Sequence, residues 1–410
     1  MQRFNFRYTS LLLLPLLAVG LLLAGCDSAG TNGDNGEDES PFEYPSDTYG
    51  EQTVTNLLSF DLGVRVSNAS DNSESALDEL YTGTIDDKTV PTSNISAEQS
   101  TYGDIAGGVD VSSLTDDAPL ARSQQLESGD SPSPGSEVTT DELLEYYFER
   151  AGSEDVTTTD NGIVLSQFAE KMLLGTPIYG QGAAILNDFA NGDITSDEAE
   201  QWDAAFGYFG FPRTLEPFID YEGGEAGLAS GPSQDIDGDG SVDLTSEYVH
   251  TWAAYAIERS AAAENNGTPN DFARDAFEAL VQGREDIENG DDPSDHAQTA
   301  LDAWEATVAV NVIHYVNAME SELSSLDDGK TVEQGDISEG AWGEAKAFAW
   351  GLQFYNSTLS DTQLNDLLDD VGNDPPYGEM TVSEYESDLA DATQILADAY
   401  GFDSSNVENW

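Results

Sequence analysis

The chain has 410 residues, of which 39% are hydrophobic and 10% aromatic, and it carries 80 acidic against 13 basic side chains for a formal charge of −67. With no basic patch to release counterions, binding to a nucleic-acid backbone is excluded. Repulsion on this scale works against a compact state unless salt screens it. The Debye length is about 3 Å near 1 M salt, so the composition points to a halophilic source and a salt-requiring fold.

Residues 1–7 carry Arg3 and Arg7 and no acid, residues 11–23 form a leucine-rich run, and Leu23, Ala24 and Gly25 precede Cys26. A run this short falls below the ~20 residues that span a bilayer, and it reads as a secretory signal over residues 1–25. Cys26 after Leu-Ala-Gly is the expected lipidation site, because lipoprotein signals resemble this pattern. Several acyl chains at ~0.8 kcal/mol per buried CH₂ make a stable membrane anchor. Cys26 is the only cysteine, which rules out internal disulfides and cysteine-based zinc sites.

Residues 26–46, rich in Gly, Asn, Asp and Glu, are expected to be a flexible acidic tether. A single helical domain is expected over 47–410. Residues 48–65 place Val54, Leu57, Leu58, Leu62 and Arg65 at helical spacing, and a short helix is expected near 75–81. Residues 83–135, rich in Ser, Thr, Asp, Gly and Pro, read as a long mobile surface insertion. From Thr139 onward helix follows helix. Capping-box starts recur at Thr139/Glu142, Thr195/Glu198, Ser360/Gln363 and Thr381/Glu384, and Pro269 is placed to open a helix near 271–289. Stops are expected at Gly192, Gly290, Gly329 and Gly401. The helical runs are 165–189 (interrupted at Pro177), 197–209, 246–263, 294–326, 338–355 and 383–400. No alternating strand run stands out. The fold expected is all-α, a bundle of about nine to eleven helices with one flexible insertion and one calcium-loop insertion. An arrangement as two half-bundles stays open.

Asp235-Ile-Asp237-Gly-Asp239-Gly240-Ser241-Val242-Asp243 is the most specific chemical signal. Carboxylates at positions 1, 3 and 5 converge when the loop turns sharply at position 6, which Gly240 permits. The Ser241 carbonyl and Asp243 follow as further oxygen ligands, a hard donor set that suits Ca²⁺. Position 12 holds Ser246 rather than glutamate, and Glu247 stands one residue later. The glycine-, serine- and proline-rich stretch before the loop does not read as an entering helix. The role expected for calcium is structural. The alternative is an acidic turn that holds no ion.

His250, His296 and His314 are the only histidines, and none lies in a His-Glu-x-x-His arrangement. No Gly-x-Ser-x-Gly elbow, glycine-rich phosphate loop or reactive cysteine is present. His314 has Asn311 and Asn317 one turn away on either side. The cluster reads either as a hydrogen-bonded histidine inside a bundle or as a ligand-facing site. Glu170-Lys171 and Glu344 line that interior or else an exposed face. Trp342, Phe348, Trp350 and Phe354 read as core.

Several segments carry a family resemblance: Phe168-Ala-Glu-Lys171, Gln201-Trp-Asp-Ala-Ala-Phe-Gly-Tyr-Phe-Gly-Phe-Pro212, the acidic loop with Leu244-Thr-Ser-Glu-Tyr248, Ile313-His-Tyr-Val-Asn317 and Asp398-Ala-Tyr-Gly-Phe402. Together they resemble a bacterial lipoprotein family catalogued as domain of unknown function 4856, over residues from about 44 to 402. The family is known mainly from Bacteroidota. Its members are often encoded near imelysin-like proteins and outer-membrane receptors, which implies a link to iron or other metal acquisition. Aligned on His314 with the Gly-x-His-x-x-Glu motif of imelysin-like proteins, this chain has Val312 and Asn317 in place of the Gly and Glu, a departure that weighs against a peptidase. Asp27 after the lipidated cysteine signals inner-membrane retention under the enteric rule. The resemblance implies another lineage and hence the outer membrane. The expectation is a lipid-anchored, calcium-binding and non-catalytic envelope protein serving metal or nutrient uptake with outer-membrane receptor or uptake partners. An imelysin-like metalloprotease or other hydrolase and a purely structural envelope component are the alternatives.

Overall fold

Apolar residues at helical spacing and side chains suited to capping set out a succession of helices, and a computed structural model of the chain shows how they pack. It describes residues 43–68, 73–83, 85–92, 95–115, 138–154, 156–194, 196–221, 227–229 and 231–410. Residues 1–42, which include the expected signal segment and Cys26, lie outside the described residues, as do 116–137. The helices are α1 (Gly50–Ser67), α2 (Glu74–Tyr81), α3 (Tyr102–Ile105), α4 (Thr140–Glu154), α5 (Leu165–Leu174), α6 (Gln181–Asn191), α7 (Glu198–Phe209), α8 (Thr251–Asn265), α9 (Phe272–Asn289), α10 (Ser294–Leu323), α11 (Glu339–Gly351), α12 (Asp361–Val371), α13 (Val382–Tyr400) and α14 (Ser404–Val407). Among the described residues, β pairing is confined to isolated bridges, so the fold is the expected all-α multi-helix bundle. No helix among them is long and apolar enough to cross a membrane.

The starts follow the capping chemistry. Thr139 and Glu142 exchange side-chain-to-backbone hydrogen bonds at the start of α4, and complete capping boxes open α12 at Ser360/Gln363 and α13 at Thr381/Glu384. Two expected starts move. Thr195 lies outside the described residues, and α7 begins after Asp197, whose backbone is left-handed (φ 55°). Asp271, not Pro269, opens α9, because its carboxylate accepts the Arg274 N–H. Gly192, Gly290 and Gly401 end α6, α9 and α13 in the left-handed conformation. Helix α10 stops at Leu323, ahead of Gly329.

The thirty residues of α10, about 45 Å long, form the axis against which α6, α8, α9, α11 and α13 pack. Trp304 on α10 lies against Tyr179, Phe209 and Trp252. A second aromatic group joins Phe168 to Trp342, Trp350 and Tyr147. The α-helical run 165–189 is interrupted around Pro177, as expected: α5 ends at Leu174 and α6 begins at Gln181. A proline has no N–H for the α-helical ladder, and residues Gly175–Gly180 continue as a π-helix between α5 and α6. The Trp252 indole donates to the Leu174 carbonyl at 3.0 Å. The Phe354 side chain lies over the segment, within 3.2–3.3 Å of where a Cβ on Gly175 or Gly180 would sit.

Two expectations are corrected. Residues 85–92 and 95–115 belong to the packed domain, not to a mobile insertion. Ile85, Val90, Tyr102 and Val111 are buried, and the Tyr102 hydroxyl donates to Asp61 of α1. Of the span 26–46 expected to be a tether, residues 43–46 belong to the packed domain. Tyr44 and Ser46 are buried, and Tyr44 exchanges hydrogen bonds with Arg213. The buried Asp203 carboxylate accepts from Tyr44, Ser46, Thr48 and the Arg284 guanidinium. Both corrections have one cause: a few large apolar side chains with satisfied polar partners outweigh a polar local composition.

Asp203→Ala leaves Arg284 without its inner partner and frees the 43–48 segment. The expected loss is about 3–5 kcal/mol, measured by urea unfolding at fixed molar NaCl. Between α12 and α13, Asp370 is pushed up to about 6 by partial burial and by the charges of Asp388, Asp391, Asp366 and Asp369. The folded state therefore holds a proton that the unfolded chain has released, from pH 3.8 to about 6. Stability from this group falls as pH rises through that window. Asp370→Asn is expected to flatten that part of the stability profile relative to wild type, measured by unfolding from pH 4 to 7.

Candidate functional site

The acidic loop lies in the connection before α8, and no helix enters it among the described residues. Gly238 and Gly240 are left-handed, at φ 78° and 100°, which turns the backbone N–H groups inward. Asp235 accepts from the N–H groups of Gly238, Asp239 and Gly240, Asp237 from that of Asp239, and Asp239 from the N–H and hydroxyl of Ser241. These turns draw Asp235, Asp237 and Asp239 together, with ligand oxygens within 4.8 Å of one another. One oxygen of Asp237 and one of Asp239 take no part in these bonds. The three exposed carboxylates offer hard oxygen donors, the type that divalent cations such as calcium take.

Asp243 and Glu247 are not in that set. Glu247 is 6% exposed and reaches back across the loop. One oxygen accepts from the Ile236 and Asp237 N–H groups and the other from the Asp243 N–H. Asp243 accepts from Gln99, from the Thr245 backbone and hydroxyl, and from Ser246. Burial alone would raise its carboxyl, but the bonds from Thr245, Ser246 and Gln99 outweigh burial and hold it below its ordinary value. These two residues brace the loop. The sequence offers both as ligands because it does not show which of the five carboxylates converge and stay exposed.

The side chains of Asn311, His314 and Asn317 take partners from within the chain. Arg259 donates to Asn311 and lies 3.2 Å from His314 Nδ1. Burial, then the Arg259 charge, lowers His314 to about 3, so the ring is a neutral acceptor. Asn317 donates to the carbonyls of Val407 and Trp410, and the Trp410 indole donates to the Arg259 carbonyl. The chain's own residues 407–410 therefore cover the position expected to receive a ligand. His250 is likewise buried, 2.9 Å from the Leu244 carbonyl, and burial lowers it to about 4.

The interior does hold a charged cluster, built by α5, α8, α10 and α11. Lys171 is 3% exposed, 2.8 Å from Glu170 and 3.6 Å from Glu344. Its ammonium lies 5.7 Å from the centre of the Tyr255 ring, a favourable cation–π placement. Burial would lower Lys171. The Glu170 charge, then Tyr255, Tyr315 and Glu344, raises it well above its ordinary value, so it stays protonated. Glu344 and Glu258 are both raised by burial against the pull of Lys171 and, for Glu258, of Arg259 as well. Of the two readings open for Glu170, Lys171 and Glu344, the structure selects the interior. Sequence reasoning missed Tyr255, Glu258 and Arg259. Their signal is a charged pair three and four residues after Tyr255 in an otherwise alanine-rich helix.

Compared with family models, curated proteins and solved structures, the chain matches none. Lys171→Met strands Glu170 and Glu344 beside an apolar side chain. It is expected to lower unfolding free energy by about 3–5 kcal/mol, measured by chemical denaturation.

Proposed function

We propose that the chain is a lipid-anchored helical envelope protein that binds calcium at Asp235, Asp237 and Asp239 and acts as a non-catalytic binding or accessory protein in metal or nutrient uptake. The observation that carries the reading is the convergence of those three carboxylates within 4.8 Å on a loop braced from behind by Glu247. Glu247 bonds to the Ile236, Asp237 and Asp243 amides and so ties the two ends of the loop together, which limits the ordering that binding requires. The envelope part rests on the signal pattern ending at Cys26 and on the family resemblance, and the uptake role rests on that resemblance alone. The alternative hydrolase reading asks for a transition metal at His314. Arg259 holds a positive charge 3.2 Å from that ring's Nδ1, which opposes a second cation there.

Titration calorimetry of the chelator-stripped protein with CaCl₂, in salt that keeps it folded, tests the reading. One calcium site is expected. At a free concentration of 100 Kd the bound ion stabilises the folded state by about 2.7 kcal/mol, seen as a rise in Tm that chelator reverses. Asp237→Asn/Asp239→Asn abolishes both effects. No calcium uptake, with a melt indifferent to chelator, overturns the proposal.

A further inference from the structure

We draw no further inference here: the strongest candidate, the cleft of about 790 Å³ whose walls carry Asp47, Glu51, Asp104, Asp197, Glu200 and Asp243, is an acidic cluster with no second observation that points to a ligand.

Discussion

Thirteen basic side chains face eighty acidic ones in this sequence, and the fold places several of them inside the bundle. Lys171, Lys346 and Arg259 are buried, and Arg284 is 11% exposed beside Asp203. Each takes partners from a different stretch of chain. Lys171 joins α5 to α11 through Glu344, Arg259 joins α8 to α10 through Asn311 and His314, and Arg284 joins α9 to α7 through Asp203. Lys346 donates to the Leu368 carbonyl near the end of α12. An isolated charge in such places is strongly unfavourable, and a hydrogen-bonded pair is tolerated. The few cations thereby specify which helices meet, in a chain whose surface charge resists compaction.

The same economy of satisfied groups explains the irregular parts. Pro177 removes a donor from the helix ladder, and the segment answers with a π-helix and an indole bond from Trp252 to Leu174. Glu305 is buried at 1% exposure, yet it accepts from Ser357, Thr358 and Tyr400, and so holds the connection after α11 against α10. Neither feature is a defect. In each, the buried polar groups find partners supplied by distant residues, as buried polar groups in folded proteins generally do.

The acidic loop shows the opposite regime. Its three converging carboxylates are exposed and accept from Gly238, Asp239, Gly240 and Ser241 of the same turn, while the supporting bonds come from Glu247 behind them and from Gln99 of the 95–100 segment. Exposure leaves one oxygen each of Asp237 and Asp239 outside these bonds, and support from outside the turn fixes the loop's backbone. Converging and bracing carboxylates look alike in the sequence. They differ in exposure and in whether their oxygens come together at one point.

The sequence by itself determined the helical class, most helix starts and stops, and the convergence of Asp235, Asp237 and Asp239. Those features depend on groups within one or two turns of each other: a threonine and the glutamate three residues on, or a glycine at the point where the loop reverses. Only the tertiary structure decided that Asp243 and Glu247 brace rather than join the converging set, that His314 is covered by residues 407–410, and that Glu170, Lys171 and Glu344 lie inside. It also decided that residues 95–100 dock on a loop about 145 positions away. The physical reason is that the hydrogen-bond and charge partners of those groups come from other helices. A local pattern states what a side chain needs, whereas which faces meet in the folded chain decides what satisfies it.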